Sequence, residues 1–248
     1  MITNPLLREG VEIYFSQGHG FVVYFYLLII LAPVEFLSLY LPSLDAQMWS
    51  GSASLFKVCA LTALLLTLYF AVRVANQEFV SWRFQPLKRW TDDRGESLRT
   101  IAQGQLTFLS LHSGFSLLLC APFLIWAGSI SRTALSRVAV TLCLLFFYML
   151  VYAVWGLFAL VLWERRAETR QVFVRCFLFA FFIASALVYL PINPAAFLLA
   201  YLSGEQLAPL ALLGVHWPAN SVHFAANLLL GGLGIAAHRW ALRRELGT

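Results

Sequence analysis

His223 and Asn227 form a His-x-x-x-Asn pair at the start of an apolar run. That spacing sets both on one helix face, where an imidazole and a carboxamide together could bind an oxyanion. Acyl-transfer chemistry of that kind also needs an activated nucleophile. No Gly-x-Ser-Gly occurs, "GSAS" at 51–54 falls in a loop, and "HSG" at 112–114 has the wrong order. The chain is therefore expected not to be an enzyme. His112, His216 and His223 should not converge on a metal, because His112 falls in one third of its run and the other two lie toward the opposite surface. No Gly-x-x-x-x-Gly-Lys-Ser/Thr loop is present, so any nucleotide hydrolysis belongs to another chain. Cys59, Cys120, Cys143 and Cys176 lack a Cys-x-x-Cys pairing and read as small apolar side chains.

Glu35 is the other residue with chemical potential. It lies inside the first apolar run, just after Pro33, where an ionisable group is by default functional. Its place near one end of the run also allows it to reach lipid headgroups, and a cavity or subunit interface is the competing role. Glu164, Arg165 and Arg166 close the fourth run and are expected to form a solvated ion-pair patch, or to brace a second coupling surface.

The elements that position these groups follow from composition. Of 248 residues, 60% are hydrophobic and 12% charged, whereas a soluble domain carries about 25% charge. A helix needs about 20 apolar residues to cross the hydrocarbon. Runs at 21–41, 55–74, 105–128, 138–163 and 173–190 qualify, and a shorter Gly-rich run at 222–237 reaches span length if Ser221 and His238 are included. The first run is full length and lacks a small-x-small exit, so a cleaved leader is not expected. Between the last two runs, 191–220 is broken by Pro191, Pro194, Pro209 and Pro218 into short pieces, too apolar for a plain loop.

With the N-terminus inside, every Lys and Arg except Lys57, Arg132 and Arg137 falls on the cytoplasmic side. The expected fold is thus all-α and polytopic, with six transmembrane helices, both termini cytoplasmic, amphipathic cytoplasmic helices and a re-entrant outer segment before the last span. Residues 1–248 form a single transmembrane domain, with an N-terminal interfacial connecting helix at 1–20, a cytoplasmic coupling loop at 75–104 and the outer re-entrant segment at 191–220. The net charge of +5 then reflects basic cytoplasmic loops rather than nucleic acid, which is not an expected partner. A secondary transporter would want midplane charge, and the spans carry almost none.

The stretch "LKRWTDDRGESLRTIAQGQLTF" at 87–108 interrupts this pattern. Asp93 and Glu96 have capping-box spacing, and Leu98, Ile101, Ala102 and Leu106 then recur at helical spacing. An amphipathic helix running into the third span can lie on headgroups or dock into a partner's groove.

Four features together resemble the integral membrane subunits of ABC transporters of the type-2 export family. They are "NPLLREG" at 4–10, "SLRTIAQGQL" at 97–106, "LPINPAAFLLAYLSG" at 190–204 and "RWALRREL" at 239–246 after the sixth span. The second is similar to the family's Ser-x-x-Glu-Ile-x-x-Gly-Lys-Leu coupling segment: Ser97, Ile101, Gly104 and Leu106 match, while Thr100 and Gln105 replace Glu and Lys. The family's upstream Glu-x-x-x-Gly-Thr motif is missing, and "WRFQPLKRW" stands there at 82–90. The resemblance implies a permease subunit that forms a translocation path as a homodimer or heterodimer with a second permease, in the cell inner (plasma) membrane and among its lipids. A separate cytoplasmic ABC ATPase would bind ATP and Mg, so no cofactor is expected in this chain. Coupling to it would fall to Glu96, Leu98, Arg99, Thr100, Ile101 and Gln103, with Leu98 and Ile101 as apolar plugs. Asn193 and Pro194 would form the re-entrant outer gate. The missing motif motivates the alternative, a non-transporting membrane scaffold or assembly factor on the same fold.

Overall fold

The structure is a computed structural model that describes residues 4–16, 18–40, 54–76, 86–212 and 214–247. Parts of the expected N-terminal segment (1–3 and 17), of the coupling loop (77–85) and of "GSAS" (51–53) lie outside the described residues.

Helix α1, Pro5–Val11, begins where Asn4 accepts a hydrogen bond from the Leu7 N–H at 3.1 Å and Pro5 supplies a pre-set φ. A π-helical turn, Glu12–Ser16, leads toward α2, His19–Tyr40. The order continues with α3 (Leu55–Asn76), α4 (Leu87–Arg94), α5 (Leu98–Ile130), α6 (Leu135–Leu162) and α7 (Ala167–Val188). A 3-10 turn, Leu190–Ile192, precedes α8 (Pro194–Ser203), and strands β1 (Leu210–Leu212) and β2 (Val215–Trp217) pair as an antiparallel hairpin. The last helix is α9, Ala219–Leu246. Helices α2, α3, α5, α6, α7 and α9 are long and apolar enough to cross a membrane. The all-α polytopic architecture with six such helices is as expected from the sequence.

Several boundaries differ from expectation. The third run is one unbroken helix from Leu98, so the amphipathic stretch and the span are the same element. At 33 residues it is about 50 Å long. The sixth run extends through its basic end to Leu246. The Asp93–Glu96 capping box does not form. Asp93 lies inside α4, which Gly95 closes in the left-handed region (φ 63), and Ser97 caps α5 instead, accepting from the Thr100 N–H at 3.2 Å. Ser97 wins because it directly precedes the first residue of the apolar stripe.

α6 is the most enclosed of the spanning helices, with α3 beside it. Within lipid, helices associate by close packing rather than by hydrophobic transfer, which favours small residues at contacts. Gly156 on α6 supplies one: a β-carbon there would collide with the Val72 carbonyl of α3 and lie 2.8 Å from the Ala75 β-carbon. Buried apolar side chains fall into two clusters. One includes Leu31, Leu64, Leu145 and Leu198, and the other gathers Leu6, Trp90, Ile101, Leu160 and Leu242 at the basic end.

Candidate functional site

The basic end carries a built platform. Trp90 of α4 is fully buried there, together with Leu6 of α1, Ile101 of α5 and Leu242 of α9. α1 lies across the first turns of α5. The Asn4 carboxamide donates to the Thr100 carbonyl at 2.7 Å, and a β-carbon at Gly104 would stand 2.8 Å from Asn4 Oδ1 and 3.0 Å from Leu6. The glycine at 104 is what lets the two helices approach.

α4 is fastened from two sides. Glu9 of α1 accepts from the Trp90 indole N–H at 3.2 Å and from the Arg94 guanidinium, which lies 4.7 Å over the Trp90 ring. On the other side, Glu164 Oε1 accepts from the Leu87 N–H at 2.5 Å. Pro86, in the N-cap position of α4, offers no side-chain bond, so a carboxylate from the α6–α7 turn caps that helix and meets the positive end of its dipole. Burial pushes the Glu164 carboxyl upward from its ordinary pKa. The Leu87 N–H opposes this, Glu245 adds to it, and Arg165 and Arg170 oppose it. The solvated patch expected at 164–166 is corrected accordingly: Arg165 and Arg166 are exposed, but Glu164 is half-buried and structural.

The proposed coupling residues divide. Arg99 and Gln103 are exposed four residues apart on α5, and Glu96 and Leu98 are half-buried beside them. The Thr100 hydroxyl is 2.8 Å from Ser97 Oγ and its carbonyl is taken by Asn4, so Thr100 serves the helix start. Ile101 is fully buried. It plugs the gap beneath α1 and is not presented to a partner, because Ile101 and Phe108 share the stripe that faces the core.

The opposite half of the molecule is organised by a polar ladder. Tyr148 and Tyr152 of α6 meet His223 and Asn227 of α9, pair against pair. Tyr148 Oη is 2.7 Å from His223 Nε2, and the Tyr152 hydroxyl donates to Asn227 Oδ1 at 3.2 Å. His223 Nδ1 lies 2.7 Å from the Pro191 carbonyl. A carbonyl only accepts, so Nδ1 carries the proton, and Nε2 of the neutral ring accepts from Tyr148. The Phe197 ring stacks on His223 at 3.7 Å. Every polar atom of the imidazole is thereby engaged, which leaves the His-x-x-x-Asn pair a clamp on the turn after α7.

Asn193 completes that turn. Its Oδ1 accepts from the Ala195 and Ala196 N–H groups at 2.9 and 3.2 Å, and its Nδ2 donates to the Phe182 carbonyl and to Ser185 Oγ, both at 3.0 Å. Pro194 is buried at the first position of α8. The turn is linked to Tyr148 of α6 through the His223 ring. α8 then runs back to the start of α3, where Lys57 donates to Ser203 Oγ at 3.0 Å. The segment thus forms a 3-10 turn, α8 and a β-hairpin that the sequence reading did not foresee, with the turn tied to α9 through His223.

Glu35 is 1% exposed, and one carboxyl oxygen has no hydrogen-bond partner among the described residues. It continues the buried stripe of Leu27 and Leu31, so the headgroup placement is corrected to an inward one. His112 is also enclosed, 3.0 Å from Tyr24 Oη. Among the described residues no group of three His, Cys, Asp or Glu could hold a metal.

Sequence reasoning missed the cap by Glu164 and the Glu9–Trp90 bond, which join distant segments. The ladder did leave a signal: Tyr-x-x-x-Tyr and His-x-x-x-Asn are matching polar spacings in two apolar runs. No family model, curated protein or solved structure matches the chain.

Proposed function

We propose that this chain is the membrane-spanning permease subunit of an ATP-driven exporter of the type-2 ABC kind. In this reading it pairs with a second permease and binds a separate cytoplasmic ATPase that carries ATP and Mg. It resides in a cell inner membrane with its basic end and both termini in the cytoplasm.

The observation that carries the reading is the platform. α1, α4 and the first turns of α5 are locked together around Trp90, with Arg99 and Gln103 outward. A push on that surface enters α5, which runs without a break to the far end of the bundle. The asymmetry of Lys and Arg supports the sidedness.

The test is affinity purification from the native host in mild detergent, with mass spectrometry of what accompanies the chain. A stoichiometric protein bearing a phosphate loop is expected. Arg99→Glu with Gln103→Glu should abolish its capture while membrane insertion persists; undiminished capture by that double variant overturns the assignment of the docking face. The missing Glu-x-x-x-Gly-Thr motif favours a second reading, a non-transporting scaffold, and capture of a partner without ATPase activity would select it.

A further inference from the structure

A groove of about 430 Å³ runs between α5 and α9, with α6 as its floor. Leu106, Leu109, Val154, Leu228 and Ile235 line it. Its depth comes from the pair Gly231–Gly232. A β-carbon at Gly231 would be 3.4 Å from Val151, whereas one at Gly232 would meet nothing within 4 Å. The one hydroxyl in the lining, Ser110 Oγ, already donates to the Leu106 carbonyl at 3.0 Å. The groove therefore suits hydrocarbon.

One end of the groove is basic. Arg239 follows Ile235 by one turn on the same face of α9, Arg243 follows by another, and both are exposed. Trp240 beside them is 53% exposed, with the Arg244 guanidinium 5.6 Å over its ring. An exposed Trp flanked by Arg marks the depth of the headgroups. Gln105 of α5 is 2.8 Å from His238, which sets α5 and α9 level there, and Gln103 and Arg99 are exposed farther toward the same end. The acid on this part of α9, Glu245, interacts instead with Glu164 on the α6–α7 side.

We propose that this groove is a binding site for one anionic glycerophospholipid. An acyl chain lies on Gly232 and the phosphate is held by Arg239 and Arg243. Charge complementarity selects this occupant. A second copy in the same membrane and orientation would bring its own basic end to the same level, opposite these arginines. The inference rests on the spanning helices alone and is independent of the transport reading.

The experiment is native mass spectrometry of the full chain in neutral detergent, with added phosphatidylglycerol or phosphatidylcholine of identical acyl chains. One phosphatidylglycerol should remain bound after detergent removal, and phosphatidylcholine should not. Arg239→Gln should weaken retention about fivefold, the scale expected for one basic side chain at the headgroups. Gly232→Phe should abolish it. Circular dichroism checks that helix content is kept, and Gly232→Leu serves should the Phe variant fail to fold. Equal retention of the two lipids, or unchanged retention in both variants, overturns the proposal. Loss of a dimer in the Gly232 variants, without loss of lipid, assigns the groove to a second copy and also overturns it.

Discussion

Tyr148 Oη stands 2.7 Å from Nε2 of His223, with both side chains fully buried between α6 and α9. Removing the hydroxyl leaves a buried acceptor unpaired. Tyr148→Phe should therefore lower stability by about 1–3 kcal/mol. Tyr148→Phe combined with His223→Leu should cost less than the sum of the single changes. Thermal unfolding in detergent across the double-mutant cycle reads this directly, and strict additivity would show that the two side chains do not act as a pair.

The Gly156 contact predicts a contrast between two glycines. Gly156→Val drives side-chain atoms into the Val72 carbonyl and should cost about 1–3 kcal/mol or more through overpacking. A β-carbon at Gly114 of α5 meets nothing within 4 Å. Gly114→Ala should be neutral or stabilise by up to about 1 kcal/mol from helix propensity. Melting temperatures of the two variants, measured together, check both halves.

The platform predicts a separable N-terminal helix. Gly104→Leu places its side chain against Asn4 and Leu6, and should lift α1 from α5 without unfolding the spans. Limited proteolysis should then cleave within residues 5–11 faster than in the parent. Asn4→Ala, which loses both the helix cap and the bond to Thr100, should act in the same direction at a cost of about 1 kcal/mol.

Glu164 predicts a pH dependence of definite sign. Its folded pKa is raised, chiefly by burial, so the protonated form is the one the fold favours. The stability linked to it is present at acid pH, and is lost as pH rises from the ordinary carboxylate value through the folded pKa. Glu164→Gln keeps an oxygen acceptor for the Leu87 N–H and removes the charge. It should flatten that part of the profile and be at least as stable as the parent at neutral pH. Glu164→Ala should lose the cap on α4. Unfolding midpoints from about pH 3 to 8 start below the ordinary Glu value of about 4.3 and decide it.

The spans were legible because lipid imposes a length and an apolar composition that a linear pattern can carry. The same holds for the entry at Asn193–Pro194, where a cap and a proline mark a helix start in any context. The inward turn of Ile101 was hidden because an apolar stripe does not say whether its cover is the chain's own α1 or a partner. Glu164 looked solvated because its acceptor role depends on Leu87, the first residue of α4 and distant in sequence. Glu35 looked interfacial because its position along α2 gives depth but not azimuth. In each case the missing information was a pairing between distant segments.

α5 is about 50 Å long, and the hydrocarbon of a bilayer is about 30 Å thick. The helix is therefore longer than the hydrocarbon is thick, and α1 wraps only its first turns, at Thr100 and Gly104. Pro122 lies within the same helix toward its other end, where it lacks an amide hydrogen and leaves the Leu118 carbonyl without its usual helical donor. The helix is thus a stiff rod over the part that meets the platform, with its weak joint placed far beyond. A helix built this way would carry a displacement at Ser97 along its length as a tilt, with any bend falling at the turn around Pro122 rather than beside the platform.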